Sequence, residues 1–158
     1  MAIDPTASEF YFRSSIKKHF IDSLTTIEKL LVVFDQTILY ETVRNYSVSK
    51  WVVINFGAFN RNFISKNILE INCCTRKDPE GIELSKLTDI VVGYLTDTTM
   101  TDTMKRIKLY NATNALPANW TEVGTMLVTE MLEGGQKMSP DDTKVKTISA
   151  ILSWGSII

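Results

Sequence analysis

Between Lys50 and Leu95 the chain reads KWVVINFGAFNRNFISKNILEINCCTRKDPEGIELSKLTDIVVGYL, and its apolar period changes midway. From Leu69 to Thr75 the pattern alternates, with Leu69, Ile71 and Cys73 on one side and Glu70, Asn72 and Cys74 on the other, as in a half-buried strand. Beyond Lys77 the period becomes helical. Leu84, Leu87, Val91 and Tyr94 recur three or four residues apart, with Ile90 and Leu95 widening the stripe, and predict a helix over about 79–96 lying on the sheet. Asp78 offers an acceptor to the first turn, Pro79 presets the first helical φ, and Glu80 and Glu83 favour the positive end of the dipole. Gly93 weakens that helix by up to about 1 kcal/mol relative to Ala. The run Trp51 to Phe56 predicts the preceding strand, and Gly57 to Lys66 the connection between the two strands.

A second helical stripe lies near the start. Thr6 with Glu9 fits a capping box and Ser8 is an alternative cap, so a helix should begin near residues 7–9. Phe12, Ile16, Phe20, Leu24, Ile27 and Leu31 then form one buried face of a long helix, opposite Arg13, Lys17, Lys18, Asp22 and Lys29. The Ser and Thr residues between Ser23 and Thr26 predict a break. Leu30 to Phe34 fits a short strand, and Thr37 to Ser49 is ambiguous between a loose strand and a loop. Ile107 to Tyr110 fits another short strand; Met100 to Met104 fits a loop or a ragged helix end, and Asn111 to Asn119 a turn-rich linker within the domain. The last third predicts a hairpin, Val123 to Leu132 going out and Lys144 to Trp154 returning, joined by a polar loop over about 133–142 that projects from the body.

These elements describe one α+β domain spanning 1–158: a mixed, largely antiparallel sheet of about four to six strands, a long N-terminal helix, a second helix packed on the sheet, and a long C-terminal hairpin. A length of 158 residues is ordinary for one domain, and 44% hydrophobic with 22% charged residues is globular. The formal net charge of -1 gives no overall attraction to nucleic acid or anionic lipid. No stretch approaches the roughly 18 uninterrupted apolar residues of a membrane span, and the first ten residues lack a secretory pattern. Neither membrane association nor specific nucleic-acid binding is expected.

Candidate chemistry is sparse. His19, the single histidine, falls beside the apolar stripe and has no partner set for nucleophilic catalysis. Cys73 and Cys74 are adjacent on a strand, which sends them to opposite faces and suits neither a shared metal nor a mutual disulfide. Phosphate-cradling glycine motifs are absent. A metal-dependent nuclease of strand, strand, helix order would place a lysine two positions after an acid, where Glu70-Ile71-Asn72 has none. No enzyme activity, cofactor or metal is therefore expected. Arg76, Lys77, Lys105, Arg106 and Lys108 form short basic runs that suit solvated edges.

The return strand of the hairpin is more unusual. Val145, Thr147, Ser149, Ile151 and Ser153 alternate with Lys146, Ile148, Ala150, Leu152 and Trp154, so both faces are partly apolar. Either this is a central strand covered on both sides, or one face packs against another subunit.

Taken in order, the long first helix, the Trp-Val-Val strand, the Cys-Thr-Arg-Lys-Asp-Pro-Glu-Gly strand exit, the Leu-x-x-Leu-x-Asp-Ile-Val helix and the hairpin ending near Trp154 resemble the tail terminator proteins of long-tailed bacteriophages. The loosely recurring positions of that family fall here on Thr75, Arg76, Asp78, Leu87 and Asp89. The resemblance implies a virion protein, assembled in the host cytoplasm, that forms a ring, commonly a hexamer, on the last ring of the tail tube. Such a ring stops tube polymerisation and presents a surface for head joining. The implied partners are copies of itself, the tail tube protein and a neck or head-completion protein. By position, Glu133, Gln136, Lys137, Met138, Asp141 and Asp142 of the hairpin loop, with Lys108 and Tyr110 on the edge strand, are the candidate interaction surface. A neck or head-completion protein acting on the portal side, and an unassigned small enzyme or ligand-binding domain, are the alternatives.

Overall fold

The computed structural model describes residues 8–38, 48–61, 63–95, 105–139 and 142–155. The expected start at Thr6, most of the ambiguous 37–49 stretch, the loop at 100–104 and the two terminal Ile residues lie outside them.

Helix α1, Glu9–Phe20, begins at Ser8, whose Oγ accepts from the Tyr11 N–H at 3.3 Å. It continues as a π-helical segment, Ile21–Ile27. The expected break thus takes the form of a wider turn. A stripe spaced by fours drifts around an α-helix, and the extra residue per turn of π geometry swings it back, so Phe12, Ile16, Phe20 and Leu24 are all fully buried. The stripe ends there, contrary to the expectation that it runs on to Leu31. Ile27 is exposed, and Lys29, at φ 57°, reverses the chain so that Leu31 enters a strand.

The sheet contains β1 (Leu31–Phe34), β2 (Lys50–Asn60), β3 (Ile64–Thr75), β4 (Arg106–Asn111), β5 (Thr121–Glu133), β6 (Lys137–Met138) and β7 (Lys144–Gly155). Its order is β1-β2-β3-β7-β5-β4, with the two-residue β6 beside β7. Only β1 and β2 pair in parallel among the described strands. This is the expected mixed, largely antiparallel α+β architecture, with the hairpin return strand at its centre.

Two expectations are corrected. The Gly57 to Lys66 connection is mostly strand: β2 runs to Asn60 and β3 starts at Ile64. The turn-forming residues instead serve a bulge between Phe56 and Phe59, where a Cβ on Gly57 would stand 2.8 Å from the Ile68 carbonyl oxygen. The second helix, α2, spans Ile82–Gly93, so Pro79 lies in the turn before it and Gly93 closes it. Asp78 still caps it from outside: Oδ1 accepts from the Glu83 N–H at 3.3 Å and Oδ2 from the Leu84 N–H at 2.9 Å.

Both helices cover the same side of the curled sheet. There Phe12, Ile16 and Phe20 meet Val52, Ile54, Leu69, Ile71, Ile148, Ala150, Leu152 and Trp154, with Leu84, Leu87 and Val91 of α2. At the edge, Ser15 Oγ accepts from the Tyr110 N–H at 2.8 Å and donates to the Tyr11 carbonyl at 2.7 Å, so α1 closes off part of β4. His19 donates from Nε2 to the Tyr94 carbonyl, and the Tyr94 hydroxyl donates to Glu28 at 2.8 Å, which ties α1 to the end of α2. On the other side of the sheet a small cluster of Trp51, Val53, Cys74 and Val145 lies under Ile38 and Val48, and Trp51 Nε1 donates to the Ile38 carbonyl at 2.9 Å. That cover reaches one end of the sheet.

Candidate interaction surface

The hairpin residues gather where α2 begins. Glu133 pairs with Lys146 at 3.4 Å, and Gln136 Oε1 stands beside Gly81. Lys137 and Met138 form β6 opposite Val145 and Lys144, and both are exposed. Asp142, at φ 65°, closes the tip with a hydrogen bond from its N–H to the Ser139 carbonyl at 3.0 Å. Asp141 lies outside the described residues. Thr143 and Lys144 are buried, and Arg76 Nε reaches Thr143 Oγ1 at 3.5 Å while its guanidinium sits 5.0 Å over the Trp51 ring. The tip is thereby held against the exit of β3.

Lys108 and Tyr110 are elsewhere. They pair with Thr125 and Glu122 on β5. Eight residues of strand separate Thr125 from Glu133, about 26 Å at ~3.3 Å per residue. The seven described candidates therefore form two patches. Lys108 approaches Glu122 at 4.0 Å, and the Lys18 ammonium lies 5.5 Å over the Tyr110 ring.

The positions carried by the family resemblance are largely structural. The Thr75 hydroxyl donates to Asp78 Oδ2 at 3.1 Å, Leu87 is on the buried side of α2, and Asp89 is exposed. Burial works against the charge on Asp78, but hydrogen bonds from the Leu84 and Glu83 amides and Thr75, with Lys144 nearby, hold its carboxyl below the ordinary value. Burial pushes the Cys73 thiol up to about 12, and raises Cys74 as well, so neither is a thiolate nucleophile at neutral pH. Among the described residues no group of three or more His, Cys, Asp or Glu side chains is placed to hold a metal ion, and no helix is long and apolar enough to cross a membrane.

Two further surfaces lie apart from those candidates; the first extends the return-strand face that the sequence offers as a subunit contact, and the second has no counterpart in the sequence reading. The first is the outer face of the sheet beyond the Trp51 cluster. Pairing places Glu70, Ser149 and Leu132 in one row across β3, β7 and β5, Ile68, Ile151 and Glu130 in the next, and Lys66, Ser153 and Leu127 in a third. Ile68 is 42% exposed and Leu132 69%. The second is the outer side of α1, where Phe10, Ser14, Lys17 and Ile21 repeat at spacings of four, three and four. At about 100° per residue Phe10, Ser14 and Lys17 lie about 130° around α1 from the buried Phe12, Ile16 and Phe20, and Ile21 continues the stripe into the π-helical segment. It flanks an open, mainly apolar cleft of about 190 Å³ between α1 and the Pro117–Trp120 segment. The signals were present but weak: Ile68 sits at a polar-side position of β3, and Ser14 and Lys17 dilute the outer stripe.

No protein-family model matches this chain, and no curated protein matches it. One solved structure, which bears only a sequence identifier for a name, superimposes with a TM-score of 0.62 at 9% identity, covering 96% of this chain and 98% of its own. That likeness extends over the whole fold.

Proposed function

We propose that this chain is a ring-forming structural subunit of the tail terminator kind, which closes the end of a phage tail tube and offers a surface for head joining. The observation that carries the reading is the outer sheet face: Ile68, Ile151 and Leu132 stand in adjoining rows on the side away from the core, more apolar surface than a solvated sheet face needs. A subunit buried against its neighbours uses such a face. The hairpin tip, with Glu133, Gln136, Lys137, Met138 and Asp142, supplies a separate surface for the tube end, while the Lys108 and Tyr110 edge lies far enough away to meet a different partner.

A ring that matches the growing end of a tube but presents no equivalent new end stops addition. The test combines solution mass by light scattering, negative-stain imaging and incubation with purified tail tubes. Rings of about six copies, or single caps on tube ends that shorten further growth, support the reading. A monomer that neither binds tube ends nor limits tube length overturns it, and binding to portal rings instead would make this a neck protein.

A further inference from the structure

The bulge in β2 holds a choice between two pairings. Between Phe56 and Phe59 the strand carries one residue more than β3 carries between Leu69 and Asn67, so Gly57 and Ala58 together oppose Ile68. Residues paired across a sheet share a side. Phe56 pairs with Leu69 and Phe59 with Asn67, and the extra residue is what brings both rings to the core side. There Phe59 packs edge-on against Phe12, centroids 5.6 Å apart, and against Trp154 at 5.7 Å. Without the bulge, pairing would continue from Phe56 with Leu69 to Gly57 with Ile68, Ala58 with Asn67 and Phe59 with Lys66. A slip of one residue sends every side chain beyond it to the opposite face, so Phe59 would leave the aromatic cluster for the outer face beside Lys66.

One side chain reads which pairing is in place. Asn67, 2% exposed, donates from Nδ2 to the Gly57 carbonyl at 3.3 Å and to the Ala58 carbonyl at 3.1 Å. A primary amide carries two N–H donors on one nitrogen, one for each carbonyl. In a regular strand successive carbonyls point to opposite edges, so a single amide meets both only where the strand bulges. Asn67 Oδ1 is buried and accepts no hydrogen bond, so donation alone orients the amide. Turned over, it would set Oδ1 against the same two carbonyl oxygens.

We propose that Asn67 is a register lock: its amide selects the bulged pairing of β2 with β3 and so keeps Phe59 in the core. Without that amide the end of β2 over 57–60 slips by one residue and turns Phe59 outward. The lock works within one chain and stands independently of the ring reading.

The test uses Asn67→Ala and deletion of Ala58 in the full chain, read by through-space NMR contacts of the Phe59 ring. Asn67→Ala should lose the contacts of Phe59 with Phe12 and Trp154 and gain contacts with the Lys66 side chain. Deleting Ala58 removes the extra residue, so regular pairing from Phe56 places Phe59 opposite Asn67 again. That chain should keep the Phe59 contacts, and should keep them unchanged when Asn67→Ala is added. A residue that merely stabilised the fold would not have its effect cancelled by this deletion. Contacts of Phe59 with Phe12 and Trp154 that persist in Asn67→Ala overturn the lock. So does a Phe59 that loses them without meeting Lys66, because the strand end then frays and does not slip. Should Asn67→Ala alone fail to fold, its rescue by the Ala58 deletion supports the lock, and a double variant that also fails to fold overturns it.

Discussion

The rings of Phe12 and Trp154 lie face to face, centroids 5.0 Å apart and planes 7° from parallel. They join the first helix to the C-terminal end of the central strand, 142 positions later in the chain, and Phe59 packs edge-on against both. Because Phe12 is fully buried, Phe12→Ala should cost about 3–5 kcal/mol in urea unfolding. A double-mutant cycle with Phe12→Leu and Trp154→Leu isolates the stacking, with an expected coupling of about 0.5–1.5 kcal/mol. Coupling near zero would mean that the two rings contribute through burial alone.

The edge of β4 depends on one hydroxyl. Ser15 is fully buried, accepts from the Tyr110 N–H and donates to the Tyr11 carbonyl. Ser15→Ala removes almost no volume but leaves a strand donor unpaired, so it should cost about 1–3 kcal/mol. Amide exchange locates the effect: the Tyr110 N–H should lose protection more than its neighbours on β4. Equal protection in both proteins would show that water or a shifted backbone replaces the hydroxyl.

The elements that could be read from the chain are those in which local period and tertiary role agree. Leu69, Ile71 and Cys73 alternate because β3 has one deeply covered face, and Leu84, Leu87 and Val91 repeat because α2 lies on it. Where a residue type serves a tertiary purpose, the local signal misleads. Gly57 resembles a turn residue but lets β2 approach Ile68, and Pro79 resembles a helix start but sits in a turn that carries Asp78 back to cap a helix four residues on. The surface signals are weaker for a physical reason. Ile68 and Leu132 have the composition of core residues, and only the pairing of three strands places them side by side facing outward. The hairpin residues were legible as a loop; that Lys108 and Tyr110 lie on a separate patch follows from the length of β5.

Gly81 stands where both backbone and space favour glycine. Its φ is 72°, and a Cβ there would approach Gln136 Oε1 to 2.5 Å. The glutamine is a flexible chain end and can swing aside, whereas the left-handed backbone remains. Gly81→Ala should therefore destabilise by about 1–2 kcal/mol. Adding Gln136→Ala should recover only a small part of that loss. Full recovery in thermal unfolding would show that the clash, and not the dihedral, dominates.

Acid should weaken the start of α2. The folded chain holds the Asp78 carboxyl below its ordinary value of 3.8, since the Leu84 and Glu83 amides, Thr75 and Lys144 favour the charged form despite burial. A folded state that binds the proton more weakly than the unfolded chain gains stability from this group at pH values above the unfolded value. It loses that gain progressively as pH falls through the lower folded value. Asp78→Asn removes the charged acceptor, so the variant should melt lower than the wild type at pH 7. The gap between the two proteins should narrow as pH drops below about 4, where protonation of the wild-type carboxyl removes the same interaction. Melting curves by circular dichroism at several pH values measure this gap. A constant gap down to pH 2 would show that Asp78 acts through its shape and neutral hydrogen bonds, and that the acid sensitivity of the fold arises at other carboxylates.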